Sequence, residues 1–369
     1  MTRKSKDVFA IGEAQNTRES DLPRQKKLNG VSAGVILAIV LAVIFVLSFA
    51  LGRYPISPVD VIKILWTHIV EAITFNNILM THTWPDILDT IIMQIRLPRI
   101  LAAVLVGASL SISGVSFQGL FRNPLVSPDI LGVSAGAGFG AALAILLNAN
   151  QVSIEISAFC FALLAVGISF LVSRIVKGNP VLSLVLAGMA IASLFSAFLS
   201  LVKYAADPTD QLPAITYWLM GSLASVSNKQ LLFTAIPMVV GIVILVLLRW
   251  RFNVLAMGEE EALALGVDTG KLRIIIVLCC TLITASSVCI SGTIGWVGLV
   301  IPHIGRMLVG PNHKRLVPIC ILLGAAYLLF IDNIARLVTS IEIPIGILTS
   351  IIGAPFFIYL LSRNKKGWV

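Results

Sequence analysis

The run Gly266-Val267-Asp268-Thr269-Gly270-Lys271-Leu272 is the nearest approach to a phosphate-binding loop in this sequence. Such a loop needs four residues between its glycines to aim backbone N–H groups at phosphate. It also needs a Ser or Thr after the lysine to hold magnesium. Here the spacing is one residue short, and Leu272 stands where the hydroxyl belongs. Gly136-Ala137-Gly138-Phe139-Gly140 has the glycine density of a nucleotide loop but no preceding strand and no final glycine at the required spacing, so it reads as helix packing. The four histidines, His68, His82, His303 and His313, lack metal-ligand spacing, and His303 in Ile301-Pro302-His303 reads as a helix-end residue. The five cysteines, Cys160, Cys279, Cys280, Cys289 and Cys320, all fall in apolar runs and read as small buried hydrophobes. With no His-Glu-x-x-His and no paired intramembrane carboxylates, no catalytic constellation emerges, and no metal or cofactor is expected.

The segment RWRFNVLAMGEEEALALGVDTGKLR (249–273) is more informative. Gly258 followed by Glu259, Glu260 and Glu261 puts negative charge on the first turn of a short helix, where the helix dipole favours it. Ala262, Leu263 and Leu265 would give that helix an apolar side, and Gly266 would end it. A solvated loop with one helical turn and a docking helix for a cytoplasmic partner fit this spacing equally well. Two ionic features sit elsewhere. Asp332 and Arg336 are four residues apart, so on a helix they would neutralise each other. Glu155 and Asp129 stand near the ends of apolar runs, and nothing resembles a buried proton relay.

The elements that position these residues are set by solvent. Of 369 residues, 57% are hydrophobic and 12% charged, with mean hydropathy +0.97. A water-soluble chain carries about 25% charged residues, so lipid must face most of this surface. Apolar runs such as VSAGVILAIVLAVIFVLSFAL (31–51) show no alternation, which excludes barrel strands and leaves helices. Ten spans are expected, at 31–51, 98–120, 130–148, 153–174, 181–203, 230–250, 272–292, 293–309, 316–335 and 343–361. With both termini inside, 20 of the 27 Lys and Arg fall in inner segments, the asymmetry that orients membrane proteins. The same placement accounts for the net charge of +9 without nucleic acid, which is not an expected partner.

Residues 1–29 form a polar basic tail with the composition of a disordered segment, and 30–369 read as one polytopic domain. Its outer segments are 52–97 and 204–229, and 251–271 is cytoplasmic. Ser57-Pro58-Val59-Asp60 signals the start of a surface helix. Gly132, Gly136 and Gly140 give two overlapping G-x-x-x-G spacings in the third span. Ile112-Ser113-Gly114 precedes Pro124 as Ile290-Ser291-Gly292 precedes Pro302, a short echo within the chain.

Four blocks resemble the permeases of iron-siderophore, haem and cobalamin ABC importers, the FecCD-like family. They are IRLPRILAAVLVGASLSISGVSFQGLFRNPLVSPDILGVSAGAG (95–138), YWLMGSL (217–223), LAMGEEEALALGV (255–267) and the run from SGTIGWVGLVIPHIGRMLVG (291–310) through IDNIARLVTSIEIPIGILTSIIGAPFFIYLL (331–361). The resemblance covers about residues 35 to 363. It implies an all-α fold of ten spans of the cobalamin-uptake type, with both termini in the cytoplasm. It also implies pairing with a second copy or a homologous permease in the cytoplasmic membrane, around a central pathway.

The family's docking position for an ABC ATPase matches 254–269, singling out Gly258, Glu259, Ala262, Leu265 and Gly266. Its contacts to an extracytoplasmic substrate-binding protein match Arg96, Arg99 and Arg336. Its cytoplasmic gate matches Asn123, Pro124 and Leu125 together with Val181 and Leu182, apolar here where some relatives are hydroxylated. Trp296, where many relatives carry phenylalanine, and the length of 52–97 are further departures. The resemblance implies that ATP is hydrolysed by the partner and that the binding protein selects the cargo. Ferric siderophore comes first, with cobalamin, haem or an oxyanion such as molybdate as alternatives. Ion-coupled secondary transport is the reading from a different class.

Overall fold

The computed structural model describes residues 29–52, 54–74, 84–176 and 179–363; the basic tail thus lies outside the described residues except for Asn29. All regular structure among them is helical. Seven helices have the length and apolarity to cross a membrane. They are α1 (Gly30–Ala50), α3 (Asp86–Leu120), α5 (Gln151–Ile175), α6 (Pro180–Ala205), α8 (Asn228–Met257), α10 (Thr269–Ser291) and α12 (His313–Leu337). Three shorter apolar helices are α4 (Val133–Leu146), α11 (Val297–Val309) and α13 (Ile345–Arg363). These match the ten expected spans one for one. Between them lie α2 (Pro58–Thr74), which starts where Ser57-Pro58 signalled, α7 (Gln211–Met220) and α9 (Glu259–Ala264).

Three expectations need correction. The second span is longer than 98–120: α3 begins at Asp86, and residues Ile91–Arg96 form a π-helical stretch within it. The spans expected at 130–148 and 293–309 hold helices of 14 and 13 residues, about 20 Å at 1.5 Å per residue, too short for roughly 30 Å of hydrocarbon. Each follows an irregular stretch folded back into the bundle. Before α4, Pro128–Leu131 forms a 3-10 turn against α6, where Gly188 lets the Ile130 and Leu131 backbone approach. In the first turn of α11, Gly298 lies against Pro128 and the Leu110 carbonyl, and Gly114 of α3 lies against the Gly298 backbone. Gly132, the first glycine of the expected stripe, turns the chain into α4 with φ of 84° and lies against the Ala192 backbone of α6. The third correction is Cys160, which is exposed on α5, whereas the other four cysteines are buried.

Small residues bring the helices close. Gly136 and Gly140 of α4 face the Phe161 and Ser157 carbonyls of α5, and a Cβ at either would strike backbone. Gly107 of α3 and Gly324 of α12 abut each other's backbone in the same way. Around the α4 contact, Phe139, Phe161, Phe195 and Phe198 from three helices form an aromatic cluster with centroids 5.0–6.4 Å apart. Such pairs add about 0.5–1.5 kcal/mol each beyond their buried area.

Backbone in an irregular stretch must find partners inside the protein when lipid surrounds it. The ends of α7, α10 and α13 meet for this purpose. Ser222 N–H donates to the Ser291 carbonyl (2.8 Å), Ile345 N–H donates to the Gly221 carbonyl (2.9 Å), and the Thr293 hydroxyl donates to the Leu219 carbonyl.

Candidate functional site

The two ends of the bundle carry different chemistry. Residues 258–267 connect α8 to α10, and their geometry follows from two glycines. Gly258 adopts φ of 142° to turn the chain off α8. Glu259, Glu260 and Glu261 then occupy the first turn of α9, as expected. At the other end Val267 N–H donates to the Ala262 carbonyl and Gly266 N–H to the Leu263 carbonyl, both at 2.9 Å. This is a Schellman closure, and Gly266 supplies the left-handed residue it requires, φ of 76°. Asp268 accepts from the Lys271 N–H (3.0 Å) and starts α10 at once.

The side chains of α9 split between two surroundings. Ala262 is 0% exposed and packs into the core cluster that includes Leu255, Val267 and Leu272. Leu263 and Leu265 are each 58% exposed. The single apolar side expected from sequence is therefore two: an anchor facing the bundle and a pair facing outward. Glu259 makes an ion pair with Arg273 of α10, a partner fourteen residues away with no periodic spacing to announce it. Glu260 and Glu261 are exposed beside Leu263 and Leu265, so the outward side of α9 carries both acidic and apolar groups.

The opposite end holds Arg96, Arg99 and Arg336, and the structure brings all three together inside the protein, exposed by only 5%, 7% and 7%. Arg99 Nε donates to both Asp332 oxygens, at 2.9 and 3.2 Å, and its Nη1 donates to Glu342 at 2.9 Å. Arg336 Nε lies 3.3 Å from Asp332 Oδ2, the expected i,i+4 pair, and its Nη2 reaches the Ser48 carbonyl at 3.4 Å and Asn333. Arg96 donates to the carbonyls of Phe49 and Tyr54. Three guanidiniums meet two carboxylates, so one positive charge is in excess. Asp332 is 0% exposed and holds α3 to α12 through Arg99 while it also pairs with Arg336 of its own helix, where the sequence pointed only to the local pair.

The residues expected at a gate lie at helix ends on the same face as α9, by the alternation of the spans. Asn123 Oδ1 accepts from the Leu125 N–H at 2.9 Å and fixes the turn after α3, with Leu125 exposed and Pro124 half-buried. Val181 and Leu182 form the first turn of α6, and Asn179 Oδ1 accepts from both of their N–H groups, at 2.9 and 3.3 Å. Leu182 is exposed and Val181 half-buried. Trp296 holds φ of 70° at the start of α11 and packs on Gly353 and Phe357 of α13. A cleft of about 510 Å³ that the sequence did not signal opens beside α7, lined by Asn148, Asp210, Tyr217, Trp218, Ser222 and Ser291 among others. Among the described residues no group of three His, Cys, Asp or Glu is placed to hold a metal.

Broken helices sealed inside a lipid-facing bundle, with a capped helix projecting from one face, define a polytopic helical permease. Residues 30–363 match the FecCD transport family, and the chain belongs to it. It is 42% identical over 331 residues to the molybdate import system permease protein of Haemophilus influenzae, covering 90% of this chain and 95% of that one. It is 44% identical over 278 residues to a probable iron chelatin transport system permease protein of Helicobacter pylori, covering 75% and 84%. A metal-chelate type ABC transporter solved in an inward-facing conformation superposes with a TM-score of 0.78 at 41% identity, over 89% of this chain and 98% of that one. The protein is thus a permease of the ABC importer class, a family of subunits without an ATPase site of their own.

Proposed function

We propose that this chain forms the transmembrane pathway of an ATP-driven importer in the cytoplasmic membrane, with both termini inside, and carries a ferric siderophore by alternating access. The observation that carries the reading is α9, a helix closed at both ends by glycine, anchored by Ala262 and Arg273, and presenting Leu263 and Leu265 outward. An ATPase subunit seats on this tip, one per permease, and its closure moves α8 and α10 together. A second copy pairs through apolar faces left exposed, among them Leu186, Met189 and Leu194 of α6 and Ile351 and Ile358 of α13. Asn123, Pro124, Leu125, Val181 and Leu182 border the inner exit.

On the outer side, the excess positive charge of Arg96, Arg99 and Arg336 attracts an acidic side chain of the binding protein. That side chain exchanges with Glu342, the more exposed of the two internal carboxylates. Such pairs set encounter rate and register more than affinity.

The similarity to a molybdate permease over nearly its full length favours a second reading, an oxyanion cargo. Uptake into proteoliposomes separates the two. The purified permease with its ATPase and a loaded binding protein should take up labelled ferric siderophore with ATP inside and no ion gradient. Uptake of molybdate alone would install the second reading. Uptake driven by a membrane potential without ATP would overturn both in favour of secondary transport.

A further inference from the structure

Outside the sites above, two adjoining cavities lie between α5 and α10. The first, about 460 Å³, is almost wholly apolar, with Leu163, Val166, Gly167, Val277 and Leu278 in its walls. The second, about 290 Å³, continues it toward the face that carries α9 and is lined by Ser173, Arg174, Gly270 and Arg273. Phe170 and Ile274 belong to both, so they form one cleft with an apolar body and a basic mouth.

The mouth is built for an anion. Arg174 makes no ion pair among the described residues, and its guanidinium stands 4.8 Å over the Phe170 ring, at the junction of the two cavities. Arg273 spends one end on Glu259, but its Nε is buried without a hydrogen-bond partner. A buried donor left unmade costs about 1–3 kcal/mol, so an acceptor arriving there is stabilised. In the apolar body, Gly167 has nothing within 4 Å of where a Cβ would be, so the cleft is open along that wall. Apolar walls at membrane depth and paired arginines at the boundary match one molecule: a phospholipid with an anionic headgroup.

We propose that this cleft holds an anionic phospholipid of the leaflet on the docking-helix side, its acyl chain along Gly167 and its phosphate between Arg174 and Arg273. The lipid and the docking helix then share Arg273, one bound through Nε and the other through the Glu259 pair. The headgroup stiffens the base on which α9 stands.

The test uses the full-length protein purified from its native membrane and reconstituted into vesicles of equal phosphatidylglycerol and phosphatidylcholine. After re-extraction in mild detergent, retained lipids are counted by native mass spectrometry. Phosphatidylglycerol should be enriched over phosphatidylcholine. Arg174→Gln should cut the enrichment about fivefold, the worth of one basic residue at about 1 kcal/mol. Gly167→Trp, which fills the open cleft, should release the lipid while the protein keeps its gel-filtration profile. A wash with excess inorganic phosphate should leave the lipid in place. Equal retention of the two lipids, unchanged retention in both variants, or stripping by phosphate alone would each overturn the proposal.

Discussion

The α9 segment and the arginine cluster stand at opposite faces of the bundle and are assembled by opposite means. The helix α9 is a local object: its start, its acidic first turn and its stop are encoded within nine residues, Gly258 to Gly266, and every capping bond stays within them or the next residue. The arginine cluster is a long-range object. Arg99 reaches Asp332 and Glu342 across 233 and 243 positions, and Arg336 reaches the Ser48 carbonyl across 288. A charged group on an outer segment of a membrane protein is therefore not free by virtue of its position. Here three such groups have been drawn inside to hold helices together.

The sharpest way to break the comparison is at Asp332. Asp332→Asn leaves Arg99 and Arg336 buried against one carboxylate instead of two, and breaking a buried pair typically costs about 3–5 kcal/mol. The expected result is loss of a monodisperse species in detergent, read by thermal-shift size exclusion. Arg99→Met together with Asp332→Leu should restore much of it. If Asp332→Asn is as stable as wild type, the cluster is not structural.

At the docking end the effects are smaller, because only local geometry is at stake. Gly266→Val meets no neighbour but must hold φ of 76°, at a cost of about 1–2 kcal/mol for a non-glycine residue. It should fray α9 and weaken ATPase retention severalfold, with Gly266→Asn milder because asparagine tolerates that region. Reversing the Glu259–Arg273 pair tests whether the anchor matters by charge or by identity. Glu259→Lys alone should uncouple ATP hydrolysis from uptake, and adding Arg273→Glu should recover part of the coupling. Failure of the double variant to recover anything would assign Glu259 to the ATPase surface rather than to α10.

The smallest effect concerns acid. The Lys271 N–H and ammonium hold the Asp268 carboxyl below the ordinary aspartate range. Its cap on α10 therefore contributes fully above that range and is lost as pH falls through the lowered value. Asp268→Asn keeps the cap but removes the titration, so its melting temperature should fall less than that of wild type on acidification.

The same contrast explains what could be read in advance. The ten spans, the start of α2 at Pro58, the pairing of Asp332 with Arg336 and the limits of α9 all rest on period, composition or capping residues within a few positions. The shortness of α4 and α11 was hidden because apolar loop and apolar helix look alike when both are buried in protein. The burial of Arg96 and Arg99, the Glu259–Arg273 pair and the outward turn of Leu263 and Leu265 depend on which helices become neighbours, and no local pattern records that.

The most direct test of the account is whether α9 carries the ATPase. The tagged chain, purified from native membranes in mild detergent, should bring down one ATPase subunit per copy. Leu263→Glu with Leu265→Glu, which charges only the exposed tip, should lose the ATPase while the permease keeps its gel-filtration profile. Full retention of the ATPase by that variant would contradict the docking role and, with it, the proposed route by which ATP drives this permease.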